Sequence, residues 1–527
     1  MGTAYEIGPE FDRPGEECGV VGFWFNDAGH DAIKNGEIDP YRMMYDALCS
    51  QANRGQQNTG IWSDVGLNDE HAMTKSVIQP GKPKKAFQKG KLLSLFAPDP
   101  KYLLGHNRYT TIGGESGGQP VEFGDLAIVH NGQFNDFPET DVALEHLPSD
   151  SWRWGAIVAD DIDKGYTAAG AMIKNAELVD GSYSLLTHHR GEMIAMRDPA
   201  GNRPLMTSPL ILGNVHIGWM AASEAPTLLA AGVDPYGDIQ KVNAGELIVF
   251  NDDGLNRIQY AEPNNAYCAM EHVYLSRPTH GTEKVWLSNS EMGEVRAHRY
   301  QMGIITAEQH PIEYERGSAP KVVPILGSAE MGAQGFADSS DLEIKHWITK
   351  RNEDDRHFMR VEGERVTDET VLFFDPNTGE HVLFVDNHKI YIDRMEGEHL
   401  VLMDDSVVRG DTMKKIIAAI VKYGMSAKID VRITSPPISR ACSYGTDYQD
   451  ARQLFANKTT RADFIDEYKI DSFEHIDLSG MQLACGKDPE DGEWKWGEKI
   501  CDHCFGGDNS PASKKVSLIQ KPTSVLS

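Results

Sequence analysis

The sequence lacks any apolar run close to the roughly 20 residues that a helix needs to span a bilayer. Its first residues, Met1 to Phe11, hold no basic region and no apolar core, so they do not predict a signal peptide. Basic residues are outnumbered, with 51 Lys and Arg against 79 Asp and Glu, and the formal net charge is -28. Because that charge opposes nonspecific binding to nucleic acid or to an anionic membrane, we expect neither as a partner.

Cysteine is scarce as well, with seven residues among 527. A small, odd number in a long chain argues against a disulfide framework and favours free thiols and metal ligands in a reducing compartment. We therefore predict a cytoplasmic protein. The length leaves room for two or three domains with large cores, and the hydrophobic content of 40% is typical of a globular protein.

The most informative stretch runs from Leu400 to Gly424. It begins with a short apolar run that predicts a buried strand, and it ends with a predicted amphipathic helix that stops at Gly424. The apolar face of that helix is predicted to hold Ile416, Ile417, Ile420 and Val421. Asp404 and Asp405 lie between the two elements, where carboxylates can bind vicinal sugar hydroxyls or share Mg²⁺. Since a helix N-terminus attracts phosphate, the stretch predicts a phosphorylated-sugar site; solvated acids in an ordinary turn are the alternative.

A second stretch begins at Cys18, which precedes the apolar run Gly-Val-Val-Gly-Phe-Trp-Phe. A free thiol is mostly protonated at neutral pH, and an α-amino group on the same residue can act as its base. That arrangement requires removal of residues 1–17, whose short polar sequence suits a propeptide. A cysteine buried in a strand is the alternative, since most free cysteines are buried.

Further segments resemble those of the N-terminal-nucleophile glutamine amidotransferases, in the order of that family. They are Asn53–Gly60 with Arg-Gly-Gln, Gly105–Thr111 with Gly-His-Asn-Arg-Tyr-Thr-Thr, and His130–Gln133 with His-Asn-Gly, predicted as a polar turn that ends a strand. The resemblance implies Cys18 as nucleophile, Arg108 as the clamp for the glutamine α-carboxylate and Asp150 as the partner of its α-ammonium. It also implies an oxyanion hole made by the Asn131 side-chain amide and the Gly132 N–H.

The chain departs from that family at three positions near the expected site. Asn53 stands where His is usual, Gln57 where an acidic residue is usual, and Gln133 where Asn is usual. We expect these three differences to alter the reaction rate or the substrate preference. The family fold has antiparallel sheets stacked between helices, and Asp180–Leu186 and Ile194–Leu205 resemble its scaffold.

The string Asp-Asp-Ser-Val-Val-Arg-Gly-Asp-Thr resembles the phosphoribosyl pyrophosphate (PRPP) loop of type I phosphoribosyltransferases, in particular the amidophosphoribosyltransferase family. The resemblance implies that Asp404 and Asp405 bind the ribose hydroxyls and Mg²⁺, with Ser328 as a further Mg²⁺ ligand. The residues implied to hold the 5-phosphate are Ser406, Val407, Val408, Arg409, Gly410, Asp411 and Thr412. Alternating strand and helix patterns over residues 321–438 predict a mainly parallel sheet around this loop.

Two features depart from the phosphoribosyltransferase pattern. Gly327 stands where the family has Asp in its pyrophosphate-binding turn. The family's closing loop, with Lys-x-Asn/Ser, has no convincing match between residues 351 and 404. Instead, Glu369–Asp386 predicts a β-hairpin around Pro-Asn-Thr-Gly. The nearest basic candidates are Lys389 and Arg394.

Four of the cysteines match a metal-cluster pattern. A bare Cys-x-x-Cys, such as Cys501 to Cys504, indicates zinc or redox chemistry. Amidophosphoribosyltransferases of the iron–sulfur type, however, have cluster cysteines at the positions of Cys268, Cys442, Cys501 and Cys504. The resemblance implies a [4Fe–4S] cluster with a structural or redox-sensing role, and zinc is the alternative. The remaining two, Cys49 and Cys485, are predicted to be core thiols.

The predicted fold class is α+β followed by α/β. The expected domains are a propeptide at 1–17, an N-terminal-nucleophile (αββα) glutamine amidotransferase domain at 18–265, a type I phosphoribosyltransferase domain at 266–455, a segment with cluster cysteines at 456–507 and a disordered tail at 508–527. The resemblance implies glutamine hydrolysis, ammonia channelling and attack on PRPP to give 5-phosphoribosylamine, in a homotetramer inhibited by purine nucleotides. Two alternatives stay open: a diverged amidotransferase that aminates another phosphorylated sugar, and a non-catalytic paralogue that acts by association.

Overall fold

A computed structural model describes residues 18–64, 76–87, 96, 98–108, 117–140, 142–234, 237–277, 291–315, 317–325, 327–350, 371–375, 378–386, 388–424, 426–446, 448, 450–494, 499–511 and 518–519. Within these ranges, no helix combines the length and the hydropathy that crossing a membrane requires. The predicted propeptide at 1–17 lies outside the described residues.

The N-terminal half contains two antiparallel sheets and six helices among its described residues. Its strands are β1 Gly19–Phe25, β2 Asn58–Ser63, β3 Ser76–Pro80, β4 Tyr102–Arg108, β5 Val121–Phe123, β6 Leu126–Asp136, β7 Asp180–His189, β8 Glu192–Arg197, β9 Met206–Leu212, β10 Val215–Ala222, β11 Gln240–Lys241, β12 Glu246–Asn251 and β13 Gly254–Gln259. Its helices are α1 Asp27–Lys34, α2 Pro40–Ser50, α3 Pro83–Ala86, α4 Asp150–Asp163, α5 Ala168–Ala176 and α6 Ala225–Ala230.

These elements form four layers. One sheet has the order β11-β9-β10-β1-β4-β2-β3 and the other β13-β12-β8-β7-β6-β5. Side chains alternate along each strand, so one face of each sheet packs against the other sheet. The residues between the sheets include Val20, Leu104, Val129, Leu186 and Ile248. Helices α1, α2 and α6 cover the outer face of the first sheet, and α4 and α5 cover that of the second. The predicted αββα arrangement is confirmed.

The C-terminal half is organised around a parallel sheet. Its strands are β14 Tyr267–Cys268, β15 Lys321–Pro324, β16 Glu343–Ile344, β17 Ile348–Lys350, β18 Val371–Asp375, β19 Glu380–Val385, β20 His388–Tyr391, β21 His399–Asp404, β22 Lys428–Ile433, β23 Ser472–His475 and β24 Ile500–Cys501. Its α-helices are α7 Glu291–Gln309, α8 Ala329–Ser340, α9 Asp411–Tyr423, α10 Phe455–Lys458, α11 Arg461–Tyr468 and α12 Leu478–Ala484. A π-helical turn spans Glu271–Leu275, and 3-10 turns span Ile392–Met395, Ala451–Gln453 and His503–Phe505.

Five parallel strands form the predicted sheet, in the order β16-β15-β21-β22-β23. In β21, Val401 and Met403 face α7 and α8, whereas Leu400 and Leu402 face α9. Strand β21 is therefore buried on both faces, which explains its continuous apolar run. Strand β23 pairs with β22 although it lies beyond residue 455, the expected end of this domain.

Helix α9 buries Ile416, Ile417 and Ile420, as predicted, and ends at Gly424. The prediction for Val421 is wrong, because its side chain is 39% exposed. Each residue advances about 100° around a helix, so Val421 lies at the edge of the stripe, and Met413 and Ala419 are the other buried residues of α9.

The predicted hairpin is confirmed in β18 and β19, where Asp375 pairs with Glu380. The hairpin belongs to a separate antiparallel sheet of order β17-β20-β19-β18. Both basic candidates are ion-paired within this sheet, because Lys389 Nζ lies 3.0 Å from Asp375 and Arg394 contacts Glu380 at 2.6 Å. Residues 351–370, where a closing loop would lie, are outside the described part of the chain.

The end of the chain returns to the N-terminal half. Leu518 forms a bridge with Ala261, and the Ile519 N–H donates to the Tyr260 carbonyl at 3.1 Å. These two residues of the expected disordered tail therefore lie in contact with the first domain, and residues 512–517 and 520–527 are outside the described part.

Candidate active sites

Cys18 directly precedes β1, in the centre of the first sheet. Strand pairing places Gly19 opposite Asn107, which brings their neighbours Cys18 and Arg108 side by side. Cys18 is two residues from Val20, and Arg108 is four from Leu104, so strand alternation turns both side chains into the space between the sheets. Burial lowers the pKa of Arg108, and interaction with Cys18 and Asp150 opposes that shift.

Asn131 lies on β6, in the facing sheet, with its side chain on the same side as Val129. It is fully buried, and neither its Oδ1 nor its Nδ2 has a hydrogen-bond partner among the described residues. A buried polar group without a partner costs about 1–3 kcal/mol, so such groups are rare and need an explanation. A bound ligand with a hydrogen-bonding oxygen would supply the missing partner.

The prediction of a polar turn at residues 130–133 is wrong. Strand β6 continues through these residues to Asp136, and Gly132 pairs with Tyr183 on β7. Gly132 has φ of +141°, and a Cβ atom there would collide with the Ser182 carbonyl oxygen. The strand continues because β7 supplies ladder partners, and a glycine fills the one position where the two backbones approach too closely for a side chain.

Asp150 is the first residue of α4 and lies close to the same site. One of its carboxylate oxygens accepts a hydrogen bond from the Phe134 N–H at 3.0 Å and lies 3.9 Å from His130 Nδ1. The carboxylate is therefore held between the helix N-terminus and β6, close enough to Arg108 to interact electrostatically. The five residues predicted from the sequence thus converge at one end of the space between the sheets.

All three departures from the family pattern have contacts within the protein, and the Gln57 N–H donates to the Arg108 carbonyl at 3.1 Å. The Asn53 amide donates to Glu224 at 3.3 Å and to the Leu275 carbonyl at 3.1 Å. The Gln133 amide donates to Asn135 at 3.0 Å. Asn53 therefore links the site to the segment between the two halves of the chain.

A buried ion network, which sequence reasoning missed, lies behind Cys18. Arg54 is fully buried, forms ion pairs with Glu224 and Glu271, and donates through Nε to the Cys18 carbonyl at 3.3 Å. Burial would raise the pKa of Glu271, but the Arg54 charge and hydrogen bonds outweigh burial and lower it. These partners are 170 and 217 residues from Arg54 along the chain, and no local sequence signal connects them.

A second group of residues lies where β15 and β21 end. The two strands are parallel neighbours, with Pro324 paired to Met403, so the residues that follow them meet at one edge of the sheet. The Ser328 hydroxyl donates to Asp405, the Ser406 hydroxyl donates to Asp405 Oδ1 at 2.7 Å, and the Asp405 N–H donates to Asp404 Oδ1 at 2.9 Å. The predicted sugar and Mg²⁺ ligands are therefore brought together.

The turn into α9 is shaped by Gly410, which has φ of +87° and precedes the first helical residue, Asp411. Gly410, the N-cap residue, has no side chain to cap this helix N-terminus, and the N–H groups at the start of a helix attract anions. Val407 and Val408 are buried in the core, which leaves their backbone as the part able to contact a ligand. Gly327, at the end of β15, has φ of +92° with open space around it.

Arg299 of α7 lies between the two groups. It is buried and donates to the His272 carbonyl at 2.6 Å and to the Ser276 carbonyl at 2.8 Å. Burial lowers its pKa to about 10, although its charge interacts favourably with Asp405, Glu224 and Glu271. One buried guanidinium therefore interacts with carboxylates of both sites.

The four predicted cluster cysteines come from three separate segments. Cys268 and Cys501 are paired residues of the parallel strands β14 and β24, and the Tyr444 N–H donates to Cys442 Sγ at 3.4 Å. Burial, with a smaller contribution from nearby Cys442, raises the pKa of Cys501 to about 12. Cys504 interacts electrostatically with both of these thiols. Four thiolates are the donor set of a [4Fe–4S] cluster.

Within the described ranges, no three His, Cys, Asp or Glu side chains are grouped closely enough to hold a metal ion as they stand. Burial also raises the pKa of Cys268, and the adjacent Arg203 charge opposes that shift and favours a thiolate. Cys485 is buried, as predicted. Cys49, in contrast, is only partly buried, because it lies in the last turn of α2, beside the helix face that Met44 and Leu48 bury.

The fold has the arrangement of an N-terminal-nucleophile (αββα) domain followed by that of a type I phosphoribosyltransferase domain. No family model matches the chain. It is 26% identical to an amidophosphoribosyltransferase of Synechocystis sp. over 95% of this chain and 92% of that protein, and 27% identical to one of Bacillus subtilis over 93% and 92%. The chain is thus a homologue of the amidophosphoribosyltransferases.

Solved structures share the fold. The B. subtilis glutamine PRPP amidotransferase, solved with ADP and GMP, superposes with a TM-score of 0.69 at 23% identity, over 93% of this chain and 97% of that one. A structure described as the allosteric regulatory enzyme of purine biosynthesis gives the same TM-score and identity over 97% of this chain and 99% of its own. Both halves of the fold therefore occur together in solved proteins.

Proposed function

We propose that this protein transfers ammonia from glutamine to PRPP, giving 5-phosphoribosylamine, glutamate and pyrophosphate, the first step of de novo purine biosynthesis. The observation that carries the proposal is the buried Asn131 amide, which has no hydrogen-bond partner in the described part of the chain and faces the same space as Cys18 and Arg108. The names of the curated relatives support the same activity.

In the first half-reaction, the Cys18 thiolate attacks the amide carbon of glutamine. A sulfur–carbon bond forms as the carbonyl oxygen takes up negative charge, which the Asn131 amide and the Gly132 N–H stabilise. The carbon–nitrogen bond then breaks, ammonia leaves, and water hydrolyses the thioester to glutamate. The α-amino group of Cys18, exposed by removal of residues 1–17, accepts and returns the proton. Arg108 and Asp150 hold the α-carboxylate and α-ammonium of the substrate.

In the second half-reaction, ammonia attacks C1 of PRPP and pyrophosphate leaves. Asp404 and Asp405 bind the ribose hydroxyls, and the backbone of residues 406–412 binds the 5-phosphate at the start of α9. Mg²⁺, held by Asp404, Asp405 and Ser328, would offset the charge of the pyrophosphate. The hydrogen bond from Ser328 to Asp405 supports this grouping.

Gly327 favours a second candidate function, amination of another phosphorylated sugar. It supplies no carboxylate at the position where related phosphoribosyltransferases have Asp, and the space around it is open. A non-catalytic role is less well supported, because Cys18, Arg108 and Asn131 are all present and lie together.

We also propose that Cys268, Cys442, Cys501 and Cys504 hold a [4Fe–4S] cluster. The cluster would tie the segment after residue 266 to the parallel sheet and to the C-terminal segment, which the pairing of β14 with β24 supports. Its role is structural or redox-sensing, because neither half-reaction transfers electrons. The domain limits at 1–17, 18–265, 266–455, 456–507 and 508–527 stay predictions, although β23 extends the parallel sheet beyond residue 455 and Leu518 contacts the first domain. The homotetramer and cytoplasmic location also stay predictions.

The test is phosphoribosylamine formation from glutamine and PRPP by anaerobically purified protein whose N-terminal residue has been sequenced. We expect PRPP-dependent product and an N-terminal Cys18. As a matched pair of controls, Cys18→Ala should abolish the glutamine-dependent reaction and keep the ammonia-dependent one, whereas Asp405→Asn should lose both. Glutamate release without PRPP consumption would overturn the assignment of PRPP and favour another sugar phosphate.

A further inference from the structure

A turn from the C-terminal half lies directly against the strand that carries Gly132. The Tyr444 carbonyl accepts a hydrogen bond from the Ser182 hydroxyl at 2.7 Å and from Arg203 Nε at 3.0 Å. Ser182 lies on β7, where it pairs with Gln133, the residue after Gly132. The turn is therefore fixed to the partner strand of β6 at the level of the proposed oxyanion hole.

Gly445 brings the turn into contact with Gly132 itself. It has φ of +110°, and a Cβ atom there would lie 3.1 Å from the Gly132 carbonyl carbon and 3.3 Å from its Cα. On another side, Gly132 is confined by the Ser182 carbonyl, which leaves no room for a Cβ atom. The backbone of Gly132 thus has one neighbour from its own domain and one from the C-terminal half.

We infer that the Tyr444–Gly445 turn is a positioning element for glutamine hydrolysis: it holds the Gly132 N–H in the orientation that stabilises the oxyanion. This inference rests on the proposed glutamine hydrolysis at Cys18. The residues of the turn touch neither substrate nor nucleophile, and they act through the backbone of Gly132. Arg203, which is fully buried and bonded to Tyr444, anchors the turn to the amidotransferase domain.

Hydrolysis of glutamine therefore depends on the position of this turn of the C-terminal half against Gly132. Cys442 belongs to the same turn, since its Sγ accepts the hydrogen bond from the Tyr444 N–H. Any change that moves this turn, including loss of whatever binds Cys442, alters the geometry of Gly132. Arg108 and Asp150, which hold the substrate, belong to other elements and stay in place.

The test is Gly445→Ala in the full-length protein. A side chain there both strains the backbone and presses on Gly132. We expect kcat for glutamine hydrolysis to fall roughly 10- to 100-fold, since loss of one oxyanion donor costs about 10²–10³. KM for glutamine should change less than threefold, because the groups that bind the substrate are untouched. The rate of phosphoribosylamine formation from added ammonia, which bypasses Cys18, should be retained.

Gly317→Ala is the matched control. Gly317 has a similar φ of +103° in the C-terminal half, but a Cβ atom there meets nothing within 4 Å, so the strain is comparable and the contact is absent. Ser182→Ala, which removes one bond to the turn without adding bulk, should lower kcat in the same direction by a smaller factor. It provides a second measurement if Gly445→Ala does not fold.

Unchanged kcat in both Gly445→Ala and Ser182→Ala would overturn the inference, as would an equal loss in Gly317→Ala. A parallel rise in KM would also contradict it, because it would indicate general damage to the site. If the unaltered protein hydrolyses no glutamine, the proposed function fails instead, so the two failures are distinct.

Discussion

Asn131 is the residue on which the assignment of the first site depends most. Its amide is buried with no partner among the described residues, whereas the neighbouring Asp150 and Gln133 are hydrogen-bonded within the protein. An unpaired buried amide destabilises the folded protein, and in the proposed function bound glutamine would complete the hydrogen bonds of Asn131. The proposed catalytic role therefore favours an amide at position 131, whereas the stability of the folded protein disfavours it.

Replacing Asn131 by Ala tests the catalytic role and the effect on stability separately. We expect kcat for glutamine hydrolysis to fall roughly 10²–10³-fold, because one oxyanion donor is removed. The free energy of unfolding should fall less than for a bonded buried amide, because no hydrogen bond within the protein is lost. Steady-state kinetics and urea unfolding measure the two effects. Retention of full activity would exclude Asn131 from the oxyanion hole.

Arg54, in contrast to Asn131, is a buried residue with partners in the protein, because it forms ion pairs with Glu224 and Glu271. Arg54→Met removes the cation that pairs directly with the buried Glu224 and Glu271 carboxylates and leaves only the more distant charges of Arg203 and Arg299, so we expect a loss of about 3–5 kcal/mol in the free energy of unfolding. Arg42→Met, at an exposed pair with Asp46, should change the free energy of unfolding far less, because solvent screens that pair. Urea unfolding followed by the fluorescence of the buried tryptophans measures both.

The same variant should show an altered pH dependence. In the unaltered protein the pKa of Glu271 is lowered, so its contribution to stability is present above the ordinary Glu pKa and is lost as pH falls through the lowered value. Without Arg54, burial raises that pKa, and protonation at acid pH stabilises the folded state. The loss in the free energy of unfolding caused by Arg54→Met should therefore become smaller as pH falls. A loss that does not change with pH would contradict this prediction.

At the scale of elements, the second site is produced by strand–turn–helix units that end at one edge of a parallel sheet. Strands β15 and β21 deliver Ser328 and Asp405 to the same edge because they are parallel neighbours. The turn into α9 then depends on Gly410, whose φ of +87° suits glycine, while the Phe455 ring lies 2.5 Å from where a Cβ atom would stand. The position of the α9 N-terminus thus depends on the backbone conformation of Gly410 and on its contact with the Phe455 ring.

Gly410→Ala should displace that helix N-terminus. We expect KM for PRPP to rise several-fold, because an anion at a helix N-terminus gains about 0.3–2 kcal/mol, while glutamine hydrolysis continues. Gly397→Ala is the control, since it also has positive φ, +72°, but nothing lies within 4 Å of the added carbon. Equal effects of the two substitutions on KM would remove Gly410 from the phosphate site.

At the scale of the whole molecule, the two halves are joined by buried polar contacts as well as by the chain. Arg54 links the start of β1 to Glu271, Arg299 interacts with Asp405 and Glu271, and Arg203 holds Tyr444. The cysteine segments meet at the same junction through β14 and β24. These buried contacts consequently connect the two candidate sites.

Cys442→Ser tests the metal assignment at this junction. We expect loss of bound iron, acid-labile sulfide and visible absorbance, together with a lower midpoint of thermal unfolding. Cys485→Ser, at a buried cysteine outside the four, should keep all of these. Zinc in the purified protein, with no iron, would identify the alternative metal.

Local sequence patterns were sufficient to predict the secondary-structure elements and to name candidate site residues. The apolar run before Asp404, the stripe of α9 and the hairpin of β18 and β19 follow from periodicity and turn residues, which act over short distances. The candidate residues Cys18, Arg108, Asn131 and Asp405 came from motif resemblance. Local reasoning failed at Val421, which lies at the edge of its stripe, and at Asn131–Gly132, where pairing with β7 extends the strand.

Which distant residues lie together depends on tertiary contacts that no local sequence pattern predicts. Arg54 meets Glu271 across 217 residues, and Ser182 meets Tyr444 across 262, because sheet stacking and the return of the chain bring them together. Burial then sets the energetics, by making ion pairs necessary at Glu224 and Glu271 and by leaving Asn131 unpartnered among the described residues. Residue type and spacing specify the elements, but long-range contacts and exclusion of water exist only once the chain has folded.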